Sequence, residues 1–146
     1  MKYVLIVLSI IALILVYIAS HSLPSLEGRS ESTALSEEES KTTLLGQALT
    51  EQIAAHPGES GIIPLANAQN AFAARVMLAR TAQRTLDVQY YIWRNDLTGN
   101  MLLHELYLAA ERGVRVRTLL DDHGTPALDK ELAALDQHPN IEVRHY

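Results

Sequence analysis

Three short runs with the composition of β-strands alternate with longer amphipathic segments over the second half of this 146-residue chain. The runs are LDVQYYIW (residues 86–93), VRVRTLL (114–120) and IEVRHY (141–146), which are rich in β-branched and aromatic residues. The segments between them are long enough for helices, and parallel strands need crossovers of this kind. The β-α-β-α-β order therefore predicts an α/β fold with an incomplete parallel or mixed sheet and flanking helices.

Both segments between the strands carry apolar residues at helical spacing. In the first, Asp96 or Thr98 can cap the amino terminus, and Gly113 marks the end. The predicted inward positions of the two helices are Leu102, Leu106, Ala109, Leu128, Leu132 and Leu135. Two more helices are predicted before the first strand, from TLLGQALTEQIAA and from NAQNAFAARVMLARTAQRT.

The amino-terminal run YVLIVLSIIALILVYIAS (residues 3–20) is apolar and uncharged. Its length is close to the roughly 20 residues that a membrane-spanning helix needs. It predicts either a transmembrane anchor or a signal peptide cut near Ser20-His21-Ser22, and the length favours the anchor. Because Lys2 places positive charge before the run, we expect an inner-membrane location with a cytoplasmic amino terminus and a domain facing the periplasm or cell exterior.

Residues 21–43 are rich in serine and glutamate, include Pro24 and Gly28, and show no sustained hydrophobic period. Such a composition buries too little apolar surface to order itself. The sequence therefore predicts three parts: an anchor or signal peptide over residues 1–20, a flexible linker over 21–43 and an α/β domain over 44–146.

The charge balance and the absence of cysteine exclude several classes of function. The net charge is −5 and the isoelectric point is about 5.6, which argues against nucleic acid as a partner, since phosphate binding is usually accompanied by a basic surface stripe. The lack of cysteine excludes disulfides, thiolate zinc sites and a lipoprotein anchor.

An acidic turn, Asp121-Asp122-His123, follows the second predicted strand directly. Adjacent side chains of an extended chain point to opposite sides, so these three are not expected to bind one metal ion. A phosphoacceptor pocket would need a further aspartate on a later strand, which IEVRHY does not supply. Two interpretations remain: a turn in which a carboxylate accepts backbone hydrogen bonds and Gly124 adopts a positive φ, or a carboxylate that orients a catalytic group elsewhere on the sheet.

Ligands of open α/β sheets collect beyond the carboxyl ends of the strands. Tyr91 and Trp93 lie at the carboxyl end of the first predicted strand, and Asp121 and Asp122 follow the second. We therefore expect these four residues to border an active site. The sequence provides no catalytic residue, no metal-ligand set and no cofactor motif that we can assign.

The pieces LDVQYYIW, DLTG, AAERGVRVRTLLDD and LDQHPNIEVR, in that order and spacing, resemble the start of the first repeat of bacterial phospholipase D superfamily proteins of the cardiolipin synthase-like kind. The likeness covers residues 44–146. It implies a membrane-associated enzyme in which two α/β repeats meet at one active site. It also implies a phospholipid membrane as partner, a substrate such as phosphatidylglycerol for the full-length protein, and no required metal.

The family's reactive motif is missing from this chain. Each family repeat supplies a His-x-Lys-x-x-x-x-Asp motif, with one histidine forming a phosphohistidine intermediate, another protonating the leaving alcohol, and lysines stabilising the phosphoryl oxygens. No histidine here is followed by lysine two residues later. We therefore expect an amino-terminal fragment of a phospholipase D-type transferase or hydrolase, inactive by itself. The alternative is a short membrane-tethered α/β module that binds a partner or headgroup without chemistry.

Overall fold

The computed structural model describes residues 2–21 and 31–146, and the chain divides into two compact units, Met1–Thr33 and Ala34–Tyr146. The first unit contains helix α1 (Lys2–His21). Its Lys2–Ser20 part is long and apolar enough to cross a membrane, although a signal sequence near the amino terminus would meet the same criteria. The predicted cleavage position extends to Ser22, which lies outside the described residues together with Pro24 and Gly28.

Two helices open the second unit, α2 (Glu37–Lys41) and α3 (Leu44–Ala55). At the start of α2 the Ser36 hydroxyl accepts a hydrogen bond from the Glu39 N–H at 3.2 Å, and the Glu39 carboxylate accepts one from the Ser36 N–H at 2.9 Å. This capping box stabilises one helical turn within residues 21–43, for which the sequence predicted a flexible linker. Residues 22–30 of that segment lie outside the described residues.

The remaining elements alternate as the sequence predicted. They are α4 (Ala68–Thr81), β1 (Thr85–Tyr90), α5 (Leu97–Glu111), β2 (Arg115–Leu120), α6 (Asp129–Asp136) and β3 (Ile141–His145). The strands form one parallel sheet in the order β1-β2-β3. Apolar side chains of both crossover helices, α5 and α6, join one core cluster with residues of β2 and β3. The predicted α/β class with a parallel sheet is confirmed.

The face under these helices, here the covered face, holds the core. Its strand residues are Leu86, Val88, Tyr90, Val116, Thr118, Leu120, Ile141 and Val143. Val116 and Leu120 are fully buried and belong to one apolar cluster with Leu106 of α5 and with Leu128. All six helix positions that were predicted to face inward are buried, as the helical spacing required.

The opposite face, here the open face, carries mainly polar and charged side chains. These are Asp87, Gln89, Arg115, Arg117, Leu119, Glu142 and Arg144, and they are partly or fully exposed. Arg117 donates hydrogen bonds to both carboxylate oxygens of its cross-strand partner Asp87, at 2.7 and 2.6 Å. These bonds hold the pKa of the Asp87 carboxyl below its ordinary value.

Helix α5 is fixed by carboxylates at its start and on its buried side. Asp96 Oδ1 accepts hydrogen bonds from the Gly99 N–H and the Thr98 hydroxyl, both at 2.8 Å, which confirms the predicted Asp96 cap and lowers the pKa of Asp96. Glu105, 6% exposed, accepts from Arg80 of α4 at 2.9 Å (Nε) and 2.5 Å (Nη2). The hydrogen bonds from Arg80 also lower the pKa of Glu105 and tie α4 to α5.

The end of β1 differs from the predicted one. β1 ends at Tyr90 and not at residue 93, and beyond it the backbone N–H of Trp93 donates to the Gly124 carbonyl at 2.8 Å. α6 begins at Asp129, after Ala127, whose φ of 62° lies outside the right-handed helical region.

Candidate functional site at the carboxyl edge of the sheet

The carboxyl ends of the three parallel strands lie at one edge of the sheet. Tyr90 pairs with Leu120, and Leu120 pairs with His145. The backbone pairing continues one residue further, since the Asp121 N–H donates to the Tyr90 carbonyl at 3.1 Å and the Tyr146 N–H donates to the Leu120 carbonyl at 3.0 Å. This edge is where open α/β sheets usually bind ligands, and it is the candidate site.

Asp121 shapes the turn between β2 and α6. Its Oδ1 accepts a hydrogen bond from the Gly124 N–H at 2.7 Å, and its backbone carbonyl accepts one from the Thr125 hydroxyl at 3.1 Å. A carboxylate that accepts from the backbone a few residues later is a common turn-forming arrangement. The structure thus places Asp121 in the structural role that was one of its two interpretations.

Gly124 is required by a close approach of two loops. A Cβ atom at this position would collide with the backbone carbonyl of Tyr91. The two loops are also joined by the hydrogen bond from the Trp93 N–H to the Gly124 carbonyl. The predicted positive φ at Gly124 is wrong, because the positive-φ glycines of the described residues are Gly58 and Gly113.

Asp122 and His145 form a carboxylate–histidine pair at this edge. His145 is the last residue of β3, and its Nδ1 lies 3.5 Å from Asp122 Oδ1. Both side chains reach solvent, the carboxylate more than the imidazole. A carboxylate beside an imidazole ring favours one orientation of that ring.

Tyr91 and Trp93 follow β1 but have different environments. Tyr91 is 70% exposed and projects from the edge, whereas Trp93 is 3% exposed. The Trp93 ring lies 4.6 Å from the Tyr90 ring, centroid to centroid, and its Nε1 donates to the Gly99 carbonyl at 3.3 Å. Trp93 therefore belongs to the core and forms part of the wall beside the site.

A cavity of about 240 Å³ lies beside Trp93, and we call it the rim cavity. Its lining includes Phe72, Arg75, Tyr90, Trp93, Arg94 and Leu102. The Arg75 guanidinium lies over the Tyr90 ring, 5.8 Å from the centroid, which is a cation–π distance. Neither Arg75 nor Arg94 forms a salt bridge with a carboxylate among the described residues.

The chemistry available at this edge is anion binding, because the guanidinium groups of Arg75 and Arg94 match the geometry of phosphate oxygens. Within residues 2–21 and 31–146 no group of three or more acidic, histidine or cysteine side chains is placed to hold a metal ion. Of the four residues predicted for the rim, Tyr91 and Asp122 are exposed to solvent, Asp121 is half-buried and Trp93 is buried.

The sequence interpretation did not identify His145 or Arg75 as members of this edge. A signal for His145 was present, because parallel pairing of the last strand places its final residue opposite the end of β2. Arg75 lies on α4, before β1, and only the packing of that helix brings it to the Tyr90 ring.

The chain is similar to proteins of several bacteria. It is 58% identical over 89 residues to "Cardiolipin synthase C" of Escherichia coli K12, covering 61% of this chain and 19% of that protein. It is 40% identical over 103 residues to an uncharacterized protein of Helicobacter pylori 26695, covering 70% of this chain and 20% of that protein. It is 46% identical over 52 residues to "Cardiolipin synthase 2" of Staphylococcus epidermidis, covering 36% of this chain and 11% of that protein. The chain thus spans about a fifth of the length of the first two relatives.

No family model matches the chain. A solved archaeal chromatin protein, described as showing a novel mode of DNA binding, superposes with a TM-score of 0.47 at 16% identity, covering 69% of this chain and 40% of that one, a level too low to carry an argument. The similarity to the two cardiolipin synthases supports a cardiolipin synthase-like protein of the phospholipase D family.

Proposed function

We propose that this chain is the amino-terminal part of a membrane-associated phospholipase D-type enzyme that transfers or hydrolyses the phosphodiester groups of phospholipids. The observation that carries the proposal is the 58% identity to a cardiolipin synthase over 89 residues. The chain spans about a fifth of that relative and contains no His-x-Lys pair, which supports placing the reacting histidines elsewhere in a longer polypeptide.

The proposed reaction proceeds through a phosphohistidine. A histidine nitrogen attacks the phosphorus of a phosphatidyl group, the bond from phosphorus to the leaving alcohol oxygen breaks, and a second histidine protonates that oxygen. A lipid hydroxyl or water then takes the phosphatidyl group from the histidine. In this scheme Tyr91, Trp93, Asp121 and Asp122 border the site, where Asp121 holds the turn and Asp122 faces His145.

We infer that α1 anchors the protein in the inner membrane, with the amino terminus in the cytoplasm and the α/β unit on the periplasmic side. Because the sequence contains no cysteine, a single Gln52→Cys substitution creates one defined labelling position on exposed α3. A membrane-impermeant maleimide should label this cysteine in intact spheroplasts. Labelling only after lysis would place the unit on the cytoplasmic side instead.

The test of the activity uses the native polypeptide recovered from the membrane fraction. Its intact mass should be several times the 16.2 kDa of this chain, and it should convert phosphatidylglycerol in vesicles into a transfer or hydrolysis product. The 146-residue chain alone, assayed side by side, should give no product. A native mass near 16.2 kDa without turnover would overturn the enzyme proposal and favour the non-catalytic binding module.

A further inference from the structure

An open groove of about 470 Å³ lies between α3, α4 and the segment that contains Ile63 and Leu65, and we call it the α3 groove. At one end the Leu44 N–H donates to the side-chain oxygen of Gln83, just after α4, at 2.6 Å. None of the described residues lines both this groove and the rim cavity, so the α3 groove is separate from the candidate site. Its larger side chains are Leu44, Leu45, Ile63, Leu65, Met77 and Leu78.

Large apolar side chains of the α3 groove face solvent. Ile63 is 85% exposed, Met77 64% and Leu44 61%. Ile62, which precedes the lining residue Ile63, is 85% exposed as well. Single apolar side chains are common on protein surfaces, but a contiguous apolar patch usually marks a contact with another protein or with a membrane.

The composition of the α3 groove favours contact with hydrocarbon over contact with protein. Among the described residues that line it, none is charged and none is aromatic. Protein–protein interfaces are enriched in aromatic residues and arginine, whereas contact with acyl chains requires aliphatic surface alone. The position in the chain agrees, because α3 follows α1 closely in the sequence, and α1 is long and apolar enough to cross a membrane.

We infer that the α3 groove is a membrane-docking surface. In this arrangement α3 and the segment with Ile63 lie in the bilayer interface, and the acyl chains of bulk lipids contact the groove. The lipids here form a surface and are not a substrate. The inference rests on the proposed function in one respect, the anchoring by α1 that brings this surface to a bilayer. Because Leu44–Ala55 contains no lysine or arginine, the docking is apolar and does not depend on anionic headgroups.

A dye on the surface provides a local readout. Since the chain has no cysteine, a single Ile63→Cys or Thr50→Cys substitution gives one attachment position for a nitrobenzoxadiazole dye. Thr50 is the matched control, because it is exposed on α3 and does not line the groove. The full chain is reconstituted in phosphatidylcholine nanodiscs, with and without lipids that carry doxyl groups on their acyl chains. We expect the doxyl lipids to quench the dye at position 63 at least about threefold more strongly than at position 50, and aqueous iodide to quench in the reverse order.

Further substitutions test which side chains hold this surface at the bilayer. In the Ile63→Cys chain, Leu45→Gln and Met77→Gln should each lower the doxyl quenching by about twofold, because each removes apolar contact with acyl chains. The matched control is Leu97→Gln, at a 76% exposed leucine that does not line the groove, and it should leave the quenching unchanged. Replacing part of the phosphatidylcholine by phosphatidylglycerol, or adding salt, should also leave the quenching unchanged. Far-UV circular dichroism verifies that each variant is folded.

Three results would overturn the inference. The first is equal quenching by doxyl lipids at positions 63 and 50. The second is a dye at position 63 that neither iodide nor doxyl lipids quench, since protein, such as a second copy of this chain, would then cover the groove. The third is quenching that requires phosphatidylglycerol or disappears in salt, since the docking would then be electrostatic.

Failure of the proposed function is distinguishable from failure of this inference. A chain that does not co-elute with nanodiscs would contradict the proposed anchor and the docking surface together. A chain that co-elutes but shows equal quenching at both positions would contradict the docking surface alone. A native polypeptide without turnover would contradict the proposed activity alone, because the dye measurements involve no turnover.

Discussion

The two faces of the sheet are built from alternate residues of the same strands, yet their surroundings are opposite. On β2, Val116 and Leu120 are buried beneath α5 and α6, while the intervening Arg117 and Leu119 face solvent to differing extents. The open face forms ion pairs such as Asp87–Arg117, whereas the covered face forms an apolar cluster. Burial, and not the number of charged contacts, therefore determines how much a side chain stabilises this unit.

The largest effect is expected from removing a leucine under the covered face. Leu106→Ala should lower the free energy of unfolding by about 3 kcal/mol, since it removes a fully buried side chain and leaves a cavity between α5 and the sheet. The matched control is Leu119→Ala on the open face, where the leucine is 39% exposed and the expected cost is below about 1 kcal/mol. Denaturant titrations followed by Trp93 fluorescence measure both, and equal costs would contradict the comparison.

A substitution at the candidate site tests whether the contact between Gly124 and the Tyr91 loop tolerates added volume any better than the covered face does. Gly124→Ala should cost roughly 2 kcal/mol, because the added methyl group collides with the Tyr91 carbonyl and must displace one of the two loops. Gly61→Ala is the control, since a Cβ at that position has no neighbour within 4 Å. If both variants unfold at the same denaturant concentration, the close approach of the loops is not a constraint.

The ion pair between Arg80 of α4 and Glu105 of α5 tests how much a buried charge contributes to the free energy of unfolding. Glu105→Gln should cost about 1–2 kcal/mol at neutral pH, because Arg80 loses its charged partner while its own side chain stays largely solvated. The pKa of Glu105 is lowered in the folded state, so its contribution is complete above the ordinary carboxyl pKa and is lost as the pH falls through the lowered value. The stability difference between wild type and Glu105→Gln should therefore shrink in acid, whereas the exposed Glu51→Gln should match wild type at neutral pH.

The sequence predicted the elements of the fold because their signals are local. Leu102 and Leu106 recur at helical spacing, and Asp96 precedes α5 as a capping residue should. The parallel sheet followed from the length of the connections between strands. The elements and their inward residues were therefore predictable before any contact between distant residues was known.

The sequence predicted that the candidate site lies at the carboxyl edge of the sheet, but it did not predict the positions of the side chains there. Those positions depend on contacts between residues that are distant in the sequence. Trp93 was expected at the rim but is buried, since its N–H bonds to Gly124 and its ring packs on Tyr90. Gly124 was expected to adopt a positive φ, whereas glycine is needed there because a Cβ atom would collide with the Tyr91 carbonyl. The position of Arg75 over Tyr90 depends on how α4 packs, which no local sequence pattern specifies.

The smallest effect is expected on the open face, where Asp87→Asn removes one partner of the Asp87–Arg117 pair. Although the pair has two hydrogen bonds, half of the Asp87 side chain is exposed, so solvent screening should limit the cost to below about 1 kcal/mol. The lowered pKa of Asp87 means that this contribution is present above the ordinary carboxyl pKa and disappears as the pH falls through the lowered value. Added salt should reduce it further. If Asp87→Asn lowered the free energy of unfolding as much as Glu105→Gln does, and salt did not change that loss, an ion pair on the open face would stabilise the unit as much as a buried one. The two faces would then differ in composition but not in how much their charged side chains contribute to stability.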